Sequence, residues 1–241
     1  MNYDPRIGGA TSNCVRGWSS FLVAAAFISG AFAAFDAAGA ENASSRRFDD
    51  AARWSTVFDD PARDEWQNPE GILQGLELAP DSIVADIGAG TGYFSAKLAR
   101  AVPRGRVYAV DIEPSMVAHL RERFAAAGAA NVEAIQASRD SPNLPEAVDA
   151  VLLVNVQSLV ANPGDYFLRL KTRLRPNARV AIVSTRPDAE RGAVKSMRRP
   201  PEHVKREMAR QGYVLYAEHD ILKYQYFLVF KADGPSPDAG R

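Results

Sequence analysis

A single cysteine, Cys14, excludes an intramolecular disulfide framework. Three histidines, His119, His203 and His219, stand far apart, with no cysteine or second histidine at ligand spacing, so no metal site is expected. Neither sign of charge is in excess. Lys+Arg and Asp+Glu number 29 each, which removes any global electrostatic attraction to nucleic acid or to an anionic membrane. No internal repeat is visible. What remains is ordinary globular material: 241 residues, 46% hydrophobic and 24% charged, enough for one domain with a sizeable core.

The N-terminus reads as an address. Met1 to Gly17 is polar and carries Arg6 and Arg16, Trp18 to Phe35 is apolar and small, and Ala38-Gly39-Ala40 precedes Glu41. That order describes a secretory signal peptide. It predicts cleavage after Ala40, an exported mature chain (periplasmic or secreted) and no membrane span thereafter. The alternative is an uncleaved membrane anchor, since the apolar run is near the lower length limit for spanning a bilayer.

Residues 41–80 read as a helical segment. Phe48 to Phe58 carries a weak apolar stripe, Asp60-Pro61 is a helix-start signal, and Asn68-Pro69 repeats it ahead of Ile72, Leu73 and Leu76. Arg63, Trp66 and Gln67 fall on the middle helix. Trp66 is either a core anchor or part of a lid over a ligand. From residue 81 to 231, strands alternate with helices. Strands are predicted at 82–87, 106–112, 131–137, 148–156 and 180–185, with helices at 93–102, 114–127 and 165–174 between them. Continuous apolar strands linked by helices imply a parallel sheet covered on both faces. A helix over 200–211 and two closely linked strands, 213–219 and 224–231, follow; strands so close in sequence pair antiparallel. Residues 232–241 read as a Pro/Gly/Asp-rich tail.

The chemistry centres on Val84-Ala85-Asp86-Ile87-Gly88-Ala89-Gly90-Thr91-Gly92-Tyr93-Phe94. A strand ends in an acid, glycines follow at alternate positions, and a helix follows them. Glycine allows a sharp turn and the close approach of a ligand. A dinucleotide site requires G-x-G-x-x-G. Here the position of that third glycine is Tyr93, and the third glycine is Gly92 instead.

Asp86-Ile87-Gly88-Ala89-Gly90-Thr91-Gly92 resembles the first motif of the class I S-adenosylmethionine-dependent methyltransferases. Val110-Asp111-Ile112-Glu113 resembles the acidic end of that family's second strand. Leu144 to Val151 resembles its entry to strand four, and Leu174 to Val180 its turn before strand five. The resemblance covers about residues 54–231 and is closest to the small-molecule and quinone branch. It implies a doubly wound, Rossmann-like seven-stranded α/β sheet of order 3-2-1-4-5-7-6, with strand seven antiparallel.

It also implies S-adenosyl-L-methionine as cofactor. Asp86 would help hold its amino-acid end, and Gly88, Gly90 and Gly92 would pass close to it. Asp111 would take the ribose hydroxyls, Ile112 would pack on the adenine, and Ser138 and Asp140 would approach the adenine edge. The same residues have plainer readings: Asp86 as a cap of the glycine turn, Asp111 as a cap of the Pro114 helix, and Asp149 as a structural acid. The acceptor is expected at the ends of strands four and five, a small molecule rather than nucleic acid, beside Asn155, Gln157 and Ser158. Tyr224, Gln225 and Tyr226, with Trp66, are pocket candidates. Relatives often carry histidines after strand four, and this chain has none there. Two other readings therefore stand beside a methyltransferase: an exported cofactor-binding protein without catalysis, and a dinucleotide oxidoreductase. The basic cluster Lys195, Arg198, Arg199, Lys205 and Arg206 reads as a solvated face.

Overall fold

The structure, a computed structural model, describes residues 48 and 50–233. The expected signal segment, the cleavage site and most of the expected C-terminal tail lie outside them. No helix among the described residues is long and apolar enough to cross a membrane.

Three short helices come first: α1 Ala51–Phe58, α2 Arg63–Gln67 and α3 Pro69–Gly75. The Asp60-Pro61 signal does not open α2 directly. Asp60 Oδ1 instead accepts the Ala62 N–H at 2.9 Å in a turn, and α2 starts at Arg63. Asn68-Pro69 acts as expected. Asn68 caps α3 by accepting the Gly71 N–H at 3.2 Å, with Pro69 in the first turn where its missing N–H costs nothing. Asn68 also ends α2 in the left-handed region, φ 44°, so one residue turns the chain from one helix to the next.

The sheet comprises β1 Ile83–Ile87, β2 Arg106–Asp111, β3 Val132–Gln136, β4 Val148–Val154, β5 Leu174–Thr185, β6 Tyr213–His219 and β7 Gln225–Ala232. Its order is β3-β2-β1-β4-β5-β7-β6, with β7 antiparallel to both neighbours. Between strands run α4 Tyr93–Ala101, α5 Pro114–Ala126, α6 Pro163–Lys171 and α7 Pro201–Arg210. Alternate strand residues face opposite layers. Val84, Leu152, Val183 and Phe227 pack with Ile72 of α3 and with Phe94 and Leu98 of α4. Val151, Leu153, Ile182 and Leu228 pack with Phe167 of α6 and with Val204 and Met208 of α7. Apolar burial on both faces is the main term holding such a sheet together.

The entry to β5 differs most from the periodicity. The helix expected to reach Leu174 ends at Lys171, because Leu174 already pairs with Val148 as the first residue of β5. Pro176-Asn177 therefore lies within β5, not before it. Asn177 sits at φ 65°, and the ladder shifts register between Val148 and Ala150 as the bulge passes. Asp149 at this entry is structural: its Oδ2 accepts the Ile83 N–H at 2.7 Å and pairs with Arg175 at 3.1 Å.

Candidate functional site

β1 and β2 run in parallel, with Ile87 opposite Val110. Beyond Ile87 the Gly88 and Ala89 N–H groups both donate to the Val110 carbonyl, at 2.8 and 3.0 Å. The chain can fold back so tightly only with left-handed dihedrals: Gly88 has φ 72° and Gly90 φ 56°. Gly88 also lacks room. A Cβ there would come 2.2 Å from Val156 Cγ2, so the segment just after β4 rests directly against the loop. Gly92, φ 92°, caps α4, and a Cβ there would meet Leu120 and Phe124 of α5 at 2.8 and 3.0 Å.

Two carboxylates flank this loop. Asp111, at the end of β2, is buried. Its Oδ2 accepts the Gly90 N–H at 2.8 Å and its Oδ1 accepts the Glu113 N–H at 3.0 Å. Burial raises its pKa, while those backbone bonds oppose the rise. Each oxygen keeps a second lone pair for a ligand hydroxyl. Asp111 does not cap the Pro114 helix; Glu113 stands at that cap without a side-chain bond. Beside it Ile112 is 47% exposed, a large apolar side chain at the rim of the loop. Asp86, inside β1, is buried and accepts the Ser95 hydroxyl of α4 at 2.6 Å. It thus ties strand to helix and does not cap the glycine turn. Burial pushes its carboxyl up to about 6; the Ser95 bond works against the rise and the Asp111 charge with it.

The N-terminal helices close over the loop. Phe48, Trp54 and Phe58 form a ring cluster, with Trp54 stacked on Phe58 at 5.1 Å. The Phe58 ring would lie 3.3 Å from a Cβ at Gly90. Arg123 of α5 clamps this arrangement, donating to the Thr91 carbonyl at 2.7 Å and to Asp59 at 2.8 Å.

From α2 a buried polar ladder crosses to the far strands. Arg63 Nε donates to Gln67 Oε1 at 2.9 Å, Gln67 Nε2 to Gln225 Oε1 at 3.1 Å, and Gln225 Nε2 to Asn155 Oδ1 at 3.4 Å. Asn155 Oδ1 also accepts the Thr185 N–H and hydroxyl, both at 3.0 Å. Gln67, Gln225 and Thr185 are all fully buried. Asn155, in the left-handed region at φ 57°, thereby joins the ends of β4, β5 and β7.

Gln157 lies one short turn further on, buried, with its amide donating to Glu207 of α7. Its Oε1 is buried with no hydrogen-bond partner among the described residues. Tyr226 is buried in the α6–α7 layer and not beside Trp66. Trp66 instead meets Tyr224 edge-on, ring centroids 6.4 Å apart. The three pocket candidates therefore divide into a pair and a core residue. After β3, Ser138 and Asp140 are exposed; Ser138 N–H donates to the Ser141 carbonyl at 2.9 Å, closing a turn. The basic cluster is partly engaged in the loop itself: Arg198 donates to the Ala189 and Ala193 carbonyls at 2.6 and 2.7 Å. No set of side chains able to hold a metal ion occurs among the described residues.

The structure thus brings Asp86, Asp111 and the three glycines to one point, with Ile112 at the rim. Sequence reasoning passed over Phe58, Thr185 and Glu207, whose roles depend on partners remote in sequence. The left-handed Asn155 was the one local hint, since asparagine tolerates that conformation after a strand.

Residues 85–180 match a family model described as a methyltransferase domain. Among curated proteins, the chain is similar to a protein-L-isoaspartate O-methyltransferase of Aeropyrum pernix, 41% identical over 76 residues, or 31% of this chain and 29% of that one. It is also similar to a release factor glutamine methyltransferase of Moorella thermoacetica, 34% identical over 104 residues, covering 43% and 34%. An arsenite methyltransferase of Halobacterium salinarum is 35% identical over 107 residues, covering 44% and 27%. The matches span about a third or less of these relatives' lengths. Among solved structures, a SAM-dependent methyltransferase from Aquifex aeolicus superposes with a TM-score of 0.69 at 24% identity, over 75% of this chain and 97% of that one.

Proposed function

We propose that the chain is a class I methyltransferase, an enzyme moving a methyl group from S-adenosyl-L-methionine to a small-molecule acceptor. One observation carries the reading: Asp111 holds the Gly90 N–H with one oxygen and keeps lone pairs free, beside an exposed Ile112. A dihydroxy sugar and a flat apolar ring fit that pair. Asp86 stands at the opposite side of the loop, where a cationic ammonium suits a buried carboxylate. The loop itself offers backbone with no Cβ, as a close-fitting ligand without phosphate requires.

The cofactor, when bound, supplies an already activated methyl on a sulfonium. The protein's share is then alignment and exclusion of water. The glycine loop and Asp111 fix one reactant. The α1–α2 segment, with Phe58 over Gly90, shields it. The acceptor is assigned to the ends of β4 and β5, with Gln157 offering its buried oxygen and Trp66 and Tyr224 forming an apolar wall. Asn155 serves there as a junction, its oxygen already engaged. The small-molecule reading draws support from the zero net charge and from the helices over the loop. The matched relatives are named for protein, RNA and arsenite methylation. Their names lend no support to binding without turnover. The N-terminal pattern supports export, with the mature chain from Glu41.

Calorimetric titration with S-adenosylmethionine, S-adenosylhomocysteine and NAD tests the cofactor. Saturable binding of the first two alone is expected, and binding of NAD alone would overturn the reading. Labelled methyl transfer into fractions of small-molecule extract, against protein and RNA fractions, tests the acceptor. N-terminal sequencing of the native protein tests export.

A further inference from the structure

Arg63 is a cation without an ion pair among the described residues. Its Nε donates to Gln67 and its Nη1 to the Phe58 carbonyl, both neutral acceptors. Its guanidinium lies over the Tyr93 ring, 4.0 Å from the centroid, at the first residue of α4. No carboxylate stands within ion-pair distance of it among the described residues, and no hydrogen bond among them uses Nη2. A part-buried charge held by neutral groups is costly unless something ionic meets it. Its place is also specific. The residue whose carbonyl it holds, Phe58, lies over Gly90, and Asp59, Asp86 and Asp64 are all near enough to act on its charge without pairing with it. The ladder through Gln67, Gln225 and Asn155 restrains the guanidinium from behind.

We propose that Arg63 binds the carboxylate of the cofactor's amino-acid end, opposite Asp86 on the ammonium, and that Gln67 positions it. The assignment rests on the S-adenosylmethionine reading above. It makes one zwitterionic group answer two protein charges, with Arg63 drawn from the N-terminal helices and Asp86 from the sheet. Binding would then hold α2 down on the loop, since the ligand would bridge the two.

The test compares S-adenosylhomocysteine with its decarboxylated analogue by calorimetry. For the unaltered protein, loss of the ligand carboxylate is expected to weaken binding about 10- to 100-fold, the scale of a charge-assisted pair. Arg63→Ala is expected to weaken S-adenosylhomocysteine by a similar factor and leave the analogue within about threefold. Gln67→Leu is expected to weaken the parent ligand by a smaller factor and again spare the analogue. Equal affinities of the unaltered protein for the two ligands overturn the proposal without any variant. Equal losses for both ligands in Arg63→Ala overturn it as well, making Arg63 structural. Failure of the unaltered protein to bind either compound overturns the cofactor reading and the proposal together.

Discussion

The Gly90 N–H points at Asp111 Oδ2 across 2.8 Å, so the tip of the glycine loop hangs from the end of the next strand. This bond sets the distance between loop and carboxylate. In the cofactor site proposed above, the acid would serve the fold and a ligand with the same two oxygens.

Asp111→Asn is therefore expected to act twice. An amide cannot accept from both the Gly90 and the Glu113 N–H groups, so one buried donor loses its partner, at about 1–3 kcal/mol of stability. Affinity for S-adenosylhomocysteine should fall by about 1.5–3 kcal/mol, the scale of hydrogen bonds to a charged group. Denaturant melts and calorimetry check both. Unchanged affinity would remove Asp111 from the site.

Gly88→Ala should be among the most damaging single methyl additions. The Cβ would sit 2.2 Å from Val156 Cγ2 and the residue keeps φ 72°. Left-handed strain and overpacking each cost about 1–3 kcal/mol. Adding Val156→Ala should recover the packing part and not the dihedral part. Full recovery in thermal melts would show that the dihedral costs nothing.

Asp86 makes stability depend on pH. Its pKa stands at about 6 in the folded chain against an ordinary 3.8. Its protonated form therefore favours folding, a contribution fully present below about pH 4 and lost as pH rises through about 6. By neutral pH the difference amounts to about 3 kcal/mol. Asp86→Asn, still able to accept the Ser95 hydroxyl, should melt higher than the parent at pH 7.5, with the gap closing towards pH 5. Ligand affinity of the parent should show the reverse sense, falling as pH drops below about 6, since an ammonium prefers the ionised carboxyl. A pH-independent gap in melting temperature would contradict this.

Arg123→Ala tests the clamp between α5 and the loop. It removes bonds to the Thr91 carbonyl and to Asp59, on a side chain 31% exposed. A loss of about 1 kcal/mol is expected, most of it from the carbonyl bond, because exposed ion pairs contribute little. Hydrogen exchange should quicken in residues 88–92 and in α1 while the β4–β5 core stays protected. Uniform quickening would show a global effect.

The strand–glycine–helix unit, the acid ending β2 and the closing antiparallel pair were all legible in the chain. Each rests on local signals: apolar runs, alternate glycines, Pro at helix starts. The Asn68-Pro69 start held to the residue, while Asp60-Pro61 missed because Asp60 bonded Ala62 in a turn before the helix began. Pro176-Asn177 read as the turn before strand five and proved to be a bulge inside β5, since pairing with β4 overrode the local turn preference. Tyr226, expected at the pocket beside Trp66, is buried in the α6–α7 layer, while Tyr224, in the turn just ahead of β7, meets Trp66.

What the residues determined alone was the order of elements and the presence of a tight glycine loop after β1, because hydrophobic period and backbone freedom act over a few neighbours. Tertiary structure decided what surrounds that loop. Gln67 meets Gln225 across 158 positions, Phe58 comes to lie over Gly90, and Val156 closes on Gly88. No local preference encodes such meetings. They follow from burying both faces of one sheet, which carries the N-terminal helices and the far strands to the same end of β1.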